Sequence, residues 1–429
     1  MNKLTARTWF VLFTLALTGN IAWAVENTWF NTFVYDMLTP DPRPVAWMMA
    51  LSAITATLTT LLIGTLSDRS RYSMGRRKPF IIFGYILWGL STIAFPTVAY
   101  IKISGLAVVM VIIADSVMTF FGSTANDAAF NAWTTDIATS SIRGRIEGVL
   151  NMGLILAQIV AMVVAGALID KFGYFLFFYV LGGIVILSGL TAGIALKDTP
   201  PPAEKPTRSF WADFADLFRW ETVTHNRDLF LLLLILMLSA IGNNVSMPYF
   251  VIYLENFIGM SKTQFSIVGG AALLGSALVA VPFGLLADRW DRRKMLILAV
   301  VISCMGRVAL SLVHGMLPIA VASFFWLAFA VAVLVASTAW LKDLLPEESV
   351  GRFLGVRMIF FIAIPMVIGP IIGSSLIRTF GIPIETNGQS GFIPVPIIFQ
   401  VSALVSFLSL IPLLVIGSKR KALERGGRG

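Results

Sequence analysis

Charge is scarce in this sequence. Only 13% of the 429 residues are Asp, Glu, Lys or Arg, against roughly 25% in a soluble domain. Histidine occurs twice and cysteine once. The lone Cys304 lies inside an apolar run, so no internal disulfide and no thiolate metal site is available. No G-x-x-x-x-G-K-[ST] phosphate loop is present, so the chain is not itself an ATP-driven pump. No Ser–His or metal-ligand constellation falls within the apolar runs, which argues against an intramembrane hydrolase and against any enzyme or cofactor.

What the sequence does hold is apolar length: 57% of it is hydrophobic, in runs near or above the ~20 residues that cross about 30 Å of hydrocarbon. The roughly 10-residue alternating segments of a membrane barrel are absent. The net charge of +9 would suggest nucleic acid in a soluble protein. Here the cations gather in particular loops, which fits membrane orientation and no nucleic-acid partner. Lys3, Arg7, the run from Trp9 and Ala22-Trp23-Ala24 imitate a cleaved signal peptide. The helical pattern continues through that point to about Leu38, so the segment is expected to be a retained first helix.

Breaks at charges, Pro and Gly predict helices over 8–38, 44–67, 79–101, 104–137, 147–170, 174–196, 229–257, 262–286, 295–314, 316–341, 353–379 and 395–417. With the N-terminus placed inside, the inner loops collect most of the Lys and Arg. The outer loops keep only Arg43, Lys102, Lys171, Lys262 and Arg378. Both termini are therefore expected to be cytoplasmic, most simply in the plasma (inner) membrane.

The chain also repeats itself. Gly64–Phe80 reads GTLSDRSRYSMGRRKPF, and GLLADRWDRRKM follows at Gly284–Met295. Trp133-x-x-Asp136 with Gly144-Arg145 returns 207 residues later as Trp340-x-x-Asp343 with Gly351-Arg352. Gly19-Asn20 is matched by Gly242-Asn243. Such duplication predicts two six-helix bundles, 1–196 and 229–417, with a linker at 197–228 and a basic tail at 418–429. Within the linker, Phe210, Phe214, Leu217 and Phe218 share one helical face, as in an interfacial helix.

The two charge clusters resemble the helix 2–3 signature of the major facilitator superfamily, roughly G-x-L-x-D-R-x-G-R-R. SDRSRYSMGRRKPFI is similar to the glycoside–pentoside–hexuronide cation symporter branch. Within that branch it is closest to the sucrose-carrier-like group, and Ala24-Val25-Glu26 followed by an aromatic and Thr-Phe-Val resembles its animal members. The resemblance implies an all-α membrane protein with twelve transmembrane helices in two pseudo-symmetric six-helix bundles. It also implies a cytoplasmic gate at Gly64, Asp68, Arg69, Gly75, Arg76, Arg77, Arg145, Asp288, Arg289 and Arg357. There Asp68 would meet helix 11 beside Arg357, Gly64 would let a backbone approach closely, and Asp288 would act likewise near Arg145.

Polar side chains at membrane depth are costly and so point to function. On helix 1, Asn20, Trp23, Asn27 and Asn31 form one stripe, with Glu26 about 100° to the side. Helix 4 carries Asp115, read as nearer the outer surface and solvated, together with Asn126, Asp127 and Asn131. Helix 5 adds Gln158, and helix 7 adds Asn243 and Asn244. Amides, carboxylates and indoles suit a sugar: the first two bind hydroxyls and the last takes an apolar sugar face. Asp127-x-x-Phe130 is similar to the D-x-P-F of melibiose-type symporters, with Ala129 in place of the proline. Those symporters carry paired helix 2 aspartates for sodium, whereas residues 44–66 contain no carboxylate. The arginine that they and the sucrose carriers place in helix 5 is missing from 148–169. Protonation of Glu26 or Asp127 is therefore the simpler coupling device, with uncoupled facilitation left open.

The expectation is a monomeric secondary transporter for a sugar or glycoside, coupled to protons by alternating access. The alternatives are a lysolipid carrier, a drug-efflux antiporter or a non-transporting receptor. The efflux group's G-P-x-x-G-G-type motif is absent from helix 5, with Gly369-Pro-Ile-Ile-Gly373 in helix 11 instead. Arg307, near mid-membrane on helix 9, needs a partner or a wet site and is read as structural.

Overall fold

The computed structural model describes residues 4–139, 142–196, 198, 226–344, 356–386 and 388–416. Twelve helices are found among them. They are α1 (Ala6–Leu38), α2 (Arg43–Arg69), α3 (Lys78–Ala94, carried to Tyr100 by a tighter turn), α4 (Ser104–Ile137), α5 (143–172) and α6 (174–195). The second set is α7 (Arg227–Asn256), α8 (Lys262–Arg289), α9 (Arg292–Leu310), α10 (Met316–Leu344), α11 (Val356–Phe380) and α12 (Ile397–Val415). The all-helical prediction thus describes the membrane-length elements. Among the described residues, nine helical stretches are long and apolar enough to cross a bilayer, and one of them, Arg143–Ala195, contains both α5 and α6.

Local chemistry explains the ends. The Asp41 carboxylate accepts from the Arg43 amide at 3.0 Å at the start of α2. Asp291 accepts from the amides of Arg293 and Lys294 at 2.9 and 3.2 Å and begins α9. Gly173, at φ 78°, breaks the run between α5 and α6 in a conformation that a side chain would disfavour. Gly89 of α3 faces Gly182 of α6, where a Cβ on either would lie 2.5 Å from the other's carbonyl oxygen. Close backbone approach through small residues is how membrane helices gain dispersion energy.

A short antiparallel hairpin adds to the helices. β1 (Ile382–Thr386) pairs with β2 (Gln389–Ile393), with Ile382 opposite Ile393 and Thr386 opposite Gln389. The predicted spans end at 379 and resume at 395, and Asn387-Gly388 between alternating residues is the hairpin signal in that gap.

The chain forms two compact units. The first contains the described residues of 1–207 together with 248–270 and 374–395; the second contains those of 208–247, 271–373 and 396–429. The core of the first unit is aromatic: Phe30 packs on Phe95 and Phe178 at 4.1 and 4.8 Å between ring centres, and Phe33 packs on Tyr174 at 5.4 Å. The second is aliphatic, with Leu229, Leu232, Leu233, Leu296, Leu413 and Ile416 in one cluster.

Candidate functional site

In the first unit, Glu26 and Asp127 both occupy π-helical turns, Glu26–Phe30 in α1 and Ser123–Phe130 in α4. Such turns insert an extra residue and re-aim side chains, often at functional sites. Glu26 is buried and accepts from the Thr119 hydroxyl of α4 at 3.0 Å. Thr119 contacts Ser52 of α2 at 2.9 Å, and Ser52 in turn donates to Asp115. Asp115 is only 2% exposed, which corrects its reading as a solvated outer residue. Eleven residues into α4, it lies roughly 17 Å from the helix start at ~1.5 Å per residue. Glu26 Oε2 and Asp115 Oδ1 have no hydrogen-bond partner.

Asp127 is partly exposed and accepts from Ser123 at 3.0 Å and from the Asn126 amide at 3.2 Å. Asn126 accepts in turn from the Tyr85 hydroxyl at 3.1 Å. The α1 stripe exists, but its amides bond within the helix: Asn20 to Ala16 O, Asn27 to Trp23 O and Asn31 to Asn27 O, at 2.7, 2.8 and 3.1 Å. Each keeps its acceptor oxygen for another partner. Asn20, Trp23 and Asn27 are partly exposed, whereas Asn31 is buried. Trp23 packs on Trp88 at 5.0 Å. Asn131 is exposed and donates to the Asp127 carbonyl, and Gln158 is partly exposed on α5.

The α2–α3 cluster is neutralised from within the first unit. Arg77 pairs with Asp68 and donates to Ser67 at 2.6 Å and to Asp136 at 3.3 Å; Arg76 meets Asp136 at 2.5 Å. Both arginines are buried. Asp198 accepts from the amides of Arg77 and Lys78 at 2.6 and 2.9 Å and so caps α3. Gly75, at φ 113°, lies where a Cβ would overlap Asp198. Asp136, Ser67 and Asp198 were not among the expected gate residues. The repeat of Trp133-x-x-Asp136 at Trp340-x-x-Asp343 was the available signal.

Among the described residues, a Cβ at Gly64 would meet nothing within 4 Å. Asp68 is half exposed, with Arg77 already balancing its charge. Arg145 is exposed. Arg357, in the second unit, sets its guanidinium 5.5 Å from the Phe361 ring. The side chains of Arg69, Asp288 and Arg289, the Phe210–Phe218 segment, Gly351-Arg352 and the basic tail lie outside what the structure describes.

In the second unit, Arg307 is 2% exposed and finds neutral partners: Ser406 Oγ, Asn243 Oδ1 at 3.4 Å and the Trp326 ring at 5.6 Å. Asn243 also accepts from Trp326 Nε1 at 3.0 Å. Asn244 bonds back to Ala240 O at 2.9 Å. These contacts tie α9 to α7, α10 and α12, as a structural arginine would.

The family model described as Major Facilitator Superfamily matches residues 8–241 and again 232–428, one match for each half of the duplication. The chain belongs to this superfamily. It is a multi-pass membrane protein of the major facilitator type. An uncharacterized MFS-type transporter of Bacillus subtilis, YuxJ, is 24% identical over 244 residues, 56% of this chain and 61% of that protein. An uncharacterized counterpart from Escherichia coli, YdeE, is 27% identical over 144 residues, 33% of this chain and 35% of that protein. These matches span less than two thirds of the curated relatives. Among solved structures, the nucleoside transporter NupG superimposes with a TM-score of 0.77 at 12% identity, covering 95% of this chain and 99% of that one. A bacterial homologue of the human lysosomal transporter Spinster gives 0.69 at 15% identity, over 96% of both chains. At these identities the likeness concerns the fold.

Proposed function

We propose that this major facilitator protein carries a sugar or glycoside by alternating access, coupled to protons through Glu26 and Asp127. Both termini are cytoplasmic in this reading, as the loop cations favour. The observation that supports it most is the placement of the two acids in π-turns of α1 and α4, beside the partly exposed Asn20, Trp23 and Asn27. The amide oxygens of Asn20 and Asn27 accept from hydroxyls, and Trp23 offers an apolar face. Asn131 and Gln158, in the same unit, would complete hydroxyl recognition. A buried carboxylate without a cation costs several kcal/mol, so a proton is the natural ligand for Glu26. The motif resemblance to the glycoside–pentoside–hexuronide branch points the same way.

A second reading is a carrier of single-chain amphiphiles. It is favoured by an apolar groove of about 500 Å³ in the first unit, lined by Tyr72, Phe80, Phe83, Leu87, Phe120 and Phe121. A thermal-shift screen of sugars and lysolipids on the purified protein separates the two readings. Stabilisation by a sugar, lost in Glu26→Gln or Asp127→Asn, supports the first. Stabilisation by lysolipids alone supports the second.

A further inference from the structure

Four side chains of α1, α2 and α4 contain a proton-counting problem. Glu26, Thr119, Ser52 and Asp115 make three successive contacts: Thr119 to Glu26 at 3.0 Å, Ser52 to Thr119 at 2.9 Å, and Ser52 to Asp115. Each contact needs one hydrogen. The two hydroxyls carry two between them, and ionised carboxylates carry none. With both acids charged, one contact would set oxygen against oxygen with nothing between. Two carboxylates would also be buried together, 7% and 2% exposed, each with an unpartnered oxygen. Among the described residues no Lys or Arg pairs with either. Asp127 also acts on Glu26 with its negative charge, and Tyr85 on α3 is engaged with Asn126 and Leu15 O.

We propose that Glu26 and Asp115 share a single proton through the Thr119 and Ser52 hydroxyls, which makes Asp115 the second acid of the coupling site. The inference rests on the reading of Glu26 as proton carrier. With the proton on Glu26, the chain runs Glu26 to Thr119 to Ser52 to Asp115, each oxygen donating to the next. A concerted shift passes the Ser52 proton to Asp115, the Thr119 proton to Ser52 and the Glu26 proton to Thr119. The chain then runs in reverse, with the same number of protons and no rotation of any hydroxyl. Thr119 and Ser52 act as positioning residues that carry the charge between helices.

The test is the infrared band of a protonated buried carboxyl, read in difference spectra of the full-length protein in lipid at neutral pH without substrate. A neutral amide at either end supplies the missing donor, so Glu26→Gln and Asp115→Asn should each remove the same band, of one carboxyl equivalent. Asp127→Asn should leave it. Ser52→Ala keeps both acids and severs the chain, so it should shift the band's frequency; it serves if neither amide variant folds. Two bands lost separately, no band at all, or removal of the band by sodium at constant pH would each overturn the proposal. Because no sugar is needed, failure of the sugar reading leaves this result untouched.

Discussion

Lys262 Nζ lies 2.9 Å from the Asp36 carboxylate and also pairs with Glu255. One cation thus holds together the end of α1, the end of α7 and the start of α8, all within the first unit. Asp36 additionally accepts from the Tyr174 hydroxyl at 2.7 Å. Beside it, Asp170 at the end of α5 accepts from the Thr263 amide at 2.7 Å. The hairpin joins the same face, with Phe392 N to Pro40 O at 3.1 Å and Tyr35 to Phe392 O at 2.9 Å.

Within the first unit, this cluster holds the end of α7, the start of α8 and the hairpin against α1 and α5, so its loss should loosen that face. Lys262→Ala leaves two carboxylates facing each other. In a Cys304→Ser background, a cysteine at Ser266, 1% exposed, should react with a membrane-impermeant maleimide several-fold faster once Lys262 is replaced. An unchanged rate would mean that the ion pairs do not hold the face closed.

At the other end of the first unit, Asp136 is the anion shared by Arg76 and Arg77. Removing one partner of a buried pair leaves uncompensated charge, at a cost of about 3 kcal/mol. Asp136→Asn should therefore lower the melting temperature clearly, and Asp68→Asn, half exposed, much less. Equal effects would contradict this assignment of Asp136 as the centre of the cluster.

Gly75 tests the same loop by a different mechanism. An alanine there must adopt φ 113° and overlap Asp198, so Gly75→Ala should destabilise by about 1–2 kcal/mol or more. The control, Gly64→Ala, meets empty space within a helix and should be neutral or slightly stabilising. Thermal denaturation of both variants reads the difference.

Asn243 and Asn244 differ in a way their adjacency conceals. Asn243→Leu removes the acceptor of both Arg307 and Trp326 Nε1, leaving buried donors unmet at about 1–3 kcal/mol. Asn244→Leu breaks only a bond within its own helix. The first should lower the melting temperature and the second should barely change it.

Length and composition make the helices legible, because a chain in hydrocarbon must satisfy its backbone internally. The π-turns at Glu26 and Asp127 are not legible: an extra residue in a helical turn depends on what α1 and α4 pack against. For the same reason Asp115 reads as solvated. Its depth could be counted along α4, but the direction of its side chain toward Ser52 could not. Likewise Asp127 and Asn131 stand four residues apart on α4, yet the Asn131 amide meets the Asp127 carbonyl and not its carboxylate. The gate cluster shows the converse. Its charges are plain in the sequence, whereas Asp198, 120 residues from Lys78, is found only by folding.

The most direct measurement is of proton movement itself. With the purified protein in liposomes, adding the sugar that stabilises it in the thermal screen should make the outer medium more alkaline as sugar enters. That change should vanish in Glu26→Gln and in Asp127→Asn. Sugar uptake with no accompanying pH change, or an undiminished one in both variants, would contradict coupling through these two acids.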